Sequence, residues 1–225
     1  MNTKSLMSFI QIFDASFPTG TFTHSFGLEP HILSHLIKNA DELSQFLRNI
    51  ITDQYQNIEF PMISKLYDYL QDGSLPLVLK LDAKLSSMLS YPYAKAYKNI
   101  GENCFAHLKN LPKNKNITKL YFDAAKERKA VCNEITILSV YAADIDMEAE
   151  HFMALWSKKN LINIAISAIK ISKIKPSEIQ TLLFSLDDFL GESIKNSGKK
   201  LSNFNPFFDD ITYRHKSLEP RLFTT

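Results

Sequence analysis

Three histidines near the N-terminus are the residues best spaced for chemistry. His31 and His35 are four apart. On a helix they would share one face, as paired metal ligands do. His24 could join them if the chain folds back, and such a set would suit a metal-dependent hydrolase. The rest of the sequence does not complete it. There is no HExxH, and no nearby Cys or Asp supplies a further ligand. Ser25 follows His24 directly, but adjacency in sequence is not a catalytic triad. Phosphate-cradling GxxxxGK[ST] and GxGxxG loops are absent, and so is a GxSxG elbow. Glu29 has the chemistry of a general base, and equally that of a capping, pairing or partner-contacting carboxylate. The expectation is therefore no catalytic residue, no bound metal and no cofactor, with the histidines at the surface or satisfied in the core.

Composition narrows the class further. The 225 residues carry a net charge of +2, so no basic field invites nucleic acid. Lys109, Lys113, Lys115 and Lys119 surround Pro112, without an interleaved aromatic platform. That stretch, Lys109–Lys119, reads as a solvated connection. Cys104 and Cys132 form no CxxC pattern, which fits a reducing compartment. No signal peptide is expected, because Gln11 and Asp14 interrupt the first apolar segment. The apolar run Leu161–Ile169 is far short of the ~20 residues of a membrane span. The expected location is the cytoplasm.

The elements that must position these residues are helical. Leu6, Phe9, Ile10 and Phe13 recur at helical spacing, and Ile32, Leu33, Leu36 and Ile37 continue a stripe after Pro30. Asn39 or Asp41 caps a helix bearing Leu43, Phe46, Leu47, Ile50, Ile51 and Tyr55. Pro61, Pro76, Pro92 and Pro176 read as first-turn prolines of four more helices. Leu120 to Ala143 reads as helix with a possible break at Lys126–Lys129, and Glu148 to Ile171 as a helix buried on most faces. No strand alternation or internal repeat is present. The fold class is all-α: one helical-bundle-like domain over 1–201, with an irregular tail over 202–225.

Two stretches stand out. In Phe13–His31, Pro18 and Gly20 mark a tight turn, Thr21, Thr23 and Ser25 are capping side chains, and Gly27 allows close packing. The tail lacks a helical period yet carries Phe204, Phe207, Phe208, Tyr213, Leu222 and Phe223, more aromatic surface than disordered tails have. Pro18, Gly20, Phe22, His24, Ser25, Gly27, Leu28 and Glu29 resemble the N-terminal signature of the UreF family of urease accessory proteins. Phe17 stands for its usual leucine, and Thr21 for a second glycine. Arg214, His215, Arg221, Leu222 and Phe223 resemble that family's C-terminus. Lys216 replaces an acid there, and Thr224 an arginine.

The resemblance implies an assembly factor and not an enzyme. It implies an adaptor that joins a UreD/UreH-type accessory protein to the GTPase UreG on apo-urease, as a homodimer within the complex. The complex would couple GTP hydrolysis to nickel insertion, with the adaptor modulating the GTPase. No nucleic acid or membrane is implied. The partner-binding residues carried over are Pro18, Gly20, Phe22, His24, Ser25, Gly27 and Glu29 of the first motif, Arg214, His215, Arg221, Leu222 and Phe223 of the second, and Lys170, which closes the apolar helix. The tail's composition adds one expectation: Arg214–Phe223 is loosely held in the free chain and becomes ordered against the UreD/UreH-type partner.

Overall fold

A single rod of helix runs from Ala40 to Gln71, and most of the bundle leans on it. It starts where Asn39 Oδ1 accepts the Glu42 backbone N–H at 2.9 Å, while Glu42 Oε2 accepts the Lys38 N–H at 2.6 Å. This pair of bonds satisfies one amide of the first turn and the amide just before the N-cap. The rod has three parts: α3 (Ala40–Asn49), a π-helical segment (Ile50–Glu59) and α4 (Phe60–Gln71). The sequence reads Pro61 as the start of a separate helix, but the structure joins the two without a break. Pro61 has no N–H to give to the carbonyl one α-turn back. That carbonyl, on Asn57, accepts the Ser202 N–H at 3.0 Å instead. The wider π turns accommodate the proline within the rod, as π-bulges do at other helix irregularities. Gly73, at φ +68°, ends the rod.

The computed structural model describes residues 3–14, 16–21, 24–202 and 222–223. Among them the remaining helices are α1 (Thr3–Phe13), α2 (Leu28–Leu33), α5 (Leu75–Met88), α6 (Tyr91–Leu108), α7 (Asn116–Lys126), α8 (Glu134–Asp144), α9 (Ala149–Ile171), α10 (Pro176–Ser185) and α11 (Asp187–Lys195). No strand occurs among the described residues, so the all-α reading stands. Prolines sit in the first turns of α5, α6 and α10, where a missing N–H costs nothing. The stretch read as Leu120–Ala143 is two helices parted by residues 127–133. The stripe after Pro176 likewise breaks at Leu186.

One hydrophobic core extends from Phe9 to Ile194, and α8 runs through it. Every residue from Glu134 to Ala142 is buried. Two devices bring α8 close to its neighbours. Asp82 of α5 is fully buried and accepts the Cys132 and Asn133 N–H groups at 2.8 and 3.1 Å, together with the Asn133 amide at 2.8 Å. Gly101 of α6 lies against the chain entering α8, where a Cβ would stand 1.8 Å from the Cys132 carbonyl oxygen. Among the described residues no helix is long and apolar enough to cross a membrane.

Candidate functional site

The link between α1 and α2 docks in two places. Its first half packs on α6. The Phe17 ring meets His107 edge-on at 5.4 Å, and the Asn103 amide donates to the Thr19 carbonyl at 2.9 Å. Gly20 follows at φ +80°, beside Asn103, while Pro18 is exposed. Gly20→Val is expected to lower stability by roughly 1–3 kcal/mol, because a β-branched residue is strained at that φ. A melting curve that matches the parent's would show that the turn tolerates a side chain.

The second half places α2. Phe26 and Gly27 are both left-handed, at φ +50° and +83°, and together they reverse the chain into the first turn of α2. Phe26 is buried, its ring 5.4 Å from that of Tyr93 and 5.8 Å from that of His24. Ser25 is fully buried, and its carbonyl accepts the Leu28 N–H at 3.1 Å. The sequence pattern assigns the cap to a hydroxyl side chain, but Gly27 occupies the N-cap position. Pro30 lies inside the first turn of α2.

Glu29 is the polar centre of this region and is almost wholly buried. Its carboxylate receives two successive backbone amides from the far end of the chain. Oε1 accepts the Leu222 N–H at 2.7 Å, and Oε2 accepts the Phe223 N–H at 3.3 Å. Hydrogen bonds to an ionised acceptor are about twice as strong as neutral ones. The Phe223 side chain is buried, and the ammonium of Lys170 lies 5.7 Å from its ring centroid, within cation–π range. Lys170 is exposed in the last turn of α9, which packs on α2. Leu222 itself is 67% exposed, and so in part are Leu33 of α2 and Ile166 and Ile169 of α9. The result is a clamp on the chain's end, carried by two helices that also present apolar side chains to solvent.

The structure thus gathers Gly27, Glu29, Lys170, Leu222 and Phe223. Ser25 stands next to them, its hydroxyl 3.5 Å from the Glu29 N–H. Pro18 and Gly20 belong to the α6 contact, and His24 to the Phe26 packing. Phe22, Arg214, His215 and Arg221 lie outside the described residues, as does most of the segment expected to be loosely held. Leu222 and Phe223 depart from that expectation, since they are docked on their own domain. The physical reason is that Glu29 supplies a buried acceptor for amides that otherwise belong to an irregular chain end.

The histidine triplet does not form. Helix α2 stops at Leu33, and His35 lies beyond it, exposed and at φ +58°. His31 is buried, with Nδ1 2.8 Å from the Gly27 carbonyl oxygen. No group of three or more metal-ligating side chains occurs among the described residues. The cysteines are buried and unpaired. Burial pushes the Cys132 thiol up to about 12 and the Cys104 thiol higher still, so neither is a nucleophile at neutral pH.

The profile of the UreF family matches residues 37–187. The chain belongs to the UreF family. The urease accessory protein UreF of Bacillus sp. (strain TB-90) is 22% identical over 223 residues, which cover 97% of this chain and 98% of that protein. Urease accessory protein F of Arabidopsis thaliana is 22% identical over 226 residues, covering 95% and 90%. A shorter match, to the urease accessory protein UreF of Alcanivorax borkumensis, is 34% identical over 67 residues, 30% of this chain and 29% of the relative. The UreF profile begins after Glu29 and ends before the tail, so it rests on the helical body. The longer matches extend the UreF likeness over 95–97% of the chain.

Sequence reasoning found the two ends of the clamp but not their contact. It also missed the polar groups inside the bundle. Glu59, Glu134 and Lys159 are all buried. The available signal was an acidic or basic residue on an otherwise buried face, as with Glu134 at the head of an apolar helix.

Proposed function

We propose that this UreF-family chain is an adaptor in urease maturation. It joins a UreD/UreH-type accessory protein to the GTPase UreG on apo-urease, as a homodimer in the cytoplasm, and nickel enters the urease site under GTP hydrolysis. The observation that carries the reading is the clamp. Glu29 of the N-terminal signature, Lys170 and the Leu222–Phe223 pair, which are far apart in sequence, lie together beside exposed apolar neighbours. Exposed Leu222, Leu33, Ile166 and Ile169 beside the Lys170 ammonium supply the mixed apolar and charged side chains of a binding patch. The remaining motif residues, Phe22, Arg214, His215 and Arg221, are proposed as partner contacts from their place in the two motifs.

In this reading the chain works by differential binding. It holds one state of the GTPase more tightly than the other, and so shifts its population without hydrolysing GTP itself. Deleting the chain from a urease-producing cell is expected to leave the urease subunits present but nickel-poor and nearly inactive. Full urease activity in the deletion strain at ordinary nickel supply would end the proposal.

A further inference from the structure

The π-helical segment ends on a carboxyl group with no exposure to solvent. Glu59 lies at the last position of the segment and is fully buried. Its Oε1 accepts two hydrogen bonds, from Gln54 Nε2 at 2.7 Å and from the Tyr97 hydroxyl at 2.8 Å. Its Oε2 has no hydrogen-bond partner among the described residues. The Gln54 bond spans one turn of the π segment, and the Tyr97 bond ties that turn to α6. Glu59 is therefore the clasp that fixes the wide turns against the bundle.

Charge counting singles this group out. Glu134 of α8 is also fully buried, and it is a second carboxyl acting on Glu59. The cation in this part of the core is Lys159 of α9, whose Nζ lies 3.9 Å from Glu134 Oε1. The other titratable groups facing Glu59 are the phenols of Tyr55 on the π segment and of Tyr93 and Tyr97 on α6. Burial raises all three, so they stay neutral. This part of the core thus holds two carboxyls, Glu59 and Glu134, and one ammonium, Lys159. A second carboxylate would have no counter-ion, and an isolated buried charge costs several kcal/mol. The small cavity beside Gln54, Tyr97 and Asn160 measures about 10 Å³, room for one water and not for a hydration shell.

We propose that Glu59 is a proton-binding site in the bundle core, held as the neutral acid beside the Glu134–Lys159 pair, and that its ionisation loosens the π segment. Burial, with a smaller push from Glu134, raises this carboxyl from 4.5 to about 7, against the hydrogen bonds from Gln54 and Tyr97. The linkage has a definite sign. Between pH 4.5 and about 7 the unfolded chain has released the proton that the folded chain keeps. Stability from this group is therefore complete below that window, falls through it and levels off above it.

The test is urea unfolding of the full chain and of Glu59→Gln at pH 5 and pH 8. Glutamine keeps an acceptor for Gln54 and Tyr97 and cannot ionise. The parent's unfolding constant is expected to rise roughly 10- to 100-fold more than the variant's between the two pH values. Equal pH dependence in parent and variant would overturn the proposal. Carbon-13 NMR of Glu-labelled parent protein supplies a readout that does not depend on the variant folding. A Glu59 carboxyl resonance still protonated at pH 6 is expected, and one already ionised at that pH would overturn the proposal equally.

Discussion

Gly101→Ala is expected to destabilise the fold by more than about 3 kcal/mol, the upper part of the range for overpacking. The added Cβ would stand 1.8 Å from the Cys132 carbonyl oxygen and 2.7 Å from two further backbone atoms at the start of α8. These atoms cannot swing aside as a side chain can, because Asp82 pins the same segment through the Cys132 and Asn133 amides. To admit the methyl group, α6 and α8 must separate, and α8 carries the centre of the core. Gly191→Ala in α11 is the control. Nothing lies within 4 Å of its Cβ position, and alanine is favoured over glycine in a helix by about 1 kcal/mol. Urea denaturation separates the two, and a Gly101→Ala variant as stable as the parent would mean that α6 and α8 yield easily at their contact.

The second large effect concerns binding. Phe223→Ala is expected to weaken capture of the UreD/UreH-type partner by at most about 10- to 150-fold, because the partner meets the docked tail and Phe223 supplies the burial, about 1.5–3 kcal/mol, that holds the tail's end on its own domain. Glu29→Ala should act in the same direction, since it removes the acceptor of both the Leu222 and Phe223 amides. Glu29→Gln retains an acceptor and should recover part of the loss. Both alanine variants should keep the parent's helical signal, because neither Glu29 nor Phe223 belongs to the hydrophobic cluster of the bundle. Titration calorimetry with the purified partner checks the order parent, Glu29→Gln, Glu29→Ala. Parent-like affinity in Phe223→Ala would remove the clamp from the interface.

Helix identity was legible wherever a local signal coincided with an apolar stripe. Asn39 capping α3, the first-turn prolines of α5, α6 and α10, and Gly73 ending α4 are all written in short windows. The π segment was not legible, because its cause is shared between Pro61 and Ser202. A proline after a helical stripe reads as a boundary until a distant amide is seen to occupy the orphaned carbonyl. The His31–His35 pairing was misleading for a related reason. The i, i+4 rule presumes a helix that continues, and the chain turns left-handed at His35 instead. The clamp was half legible. Both motifs could be recognised, but the carboxylate joining them spans nearly the whole chain, and periodicity carries no such information.

The adaptor role is tested most directly by activating apo-urease from purified components. The measurement is urease activity after incubation of apo-urease with the UreD/UreH-type protein, UreG, nickel and GTP, with and without this chain. The account predicts that activity appears only when the chain is present, and that Phe223→Ala gives markedly less at equal concentration. Equal activation in its absence would contradict it.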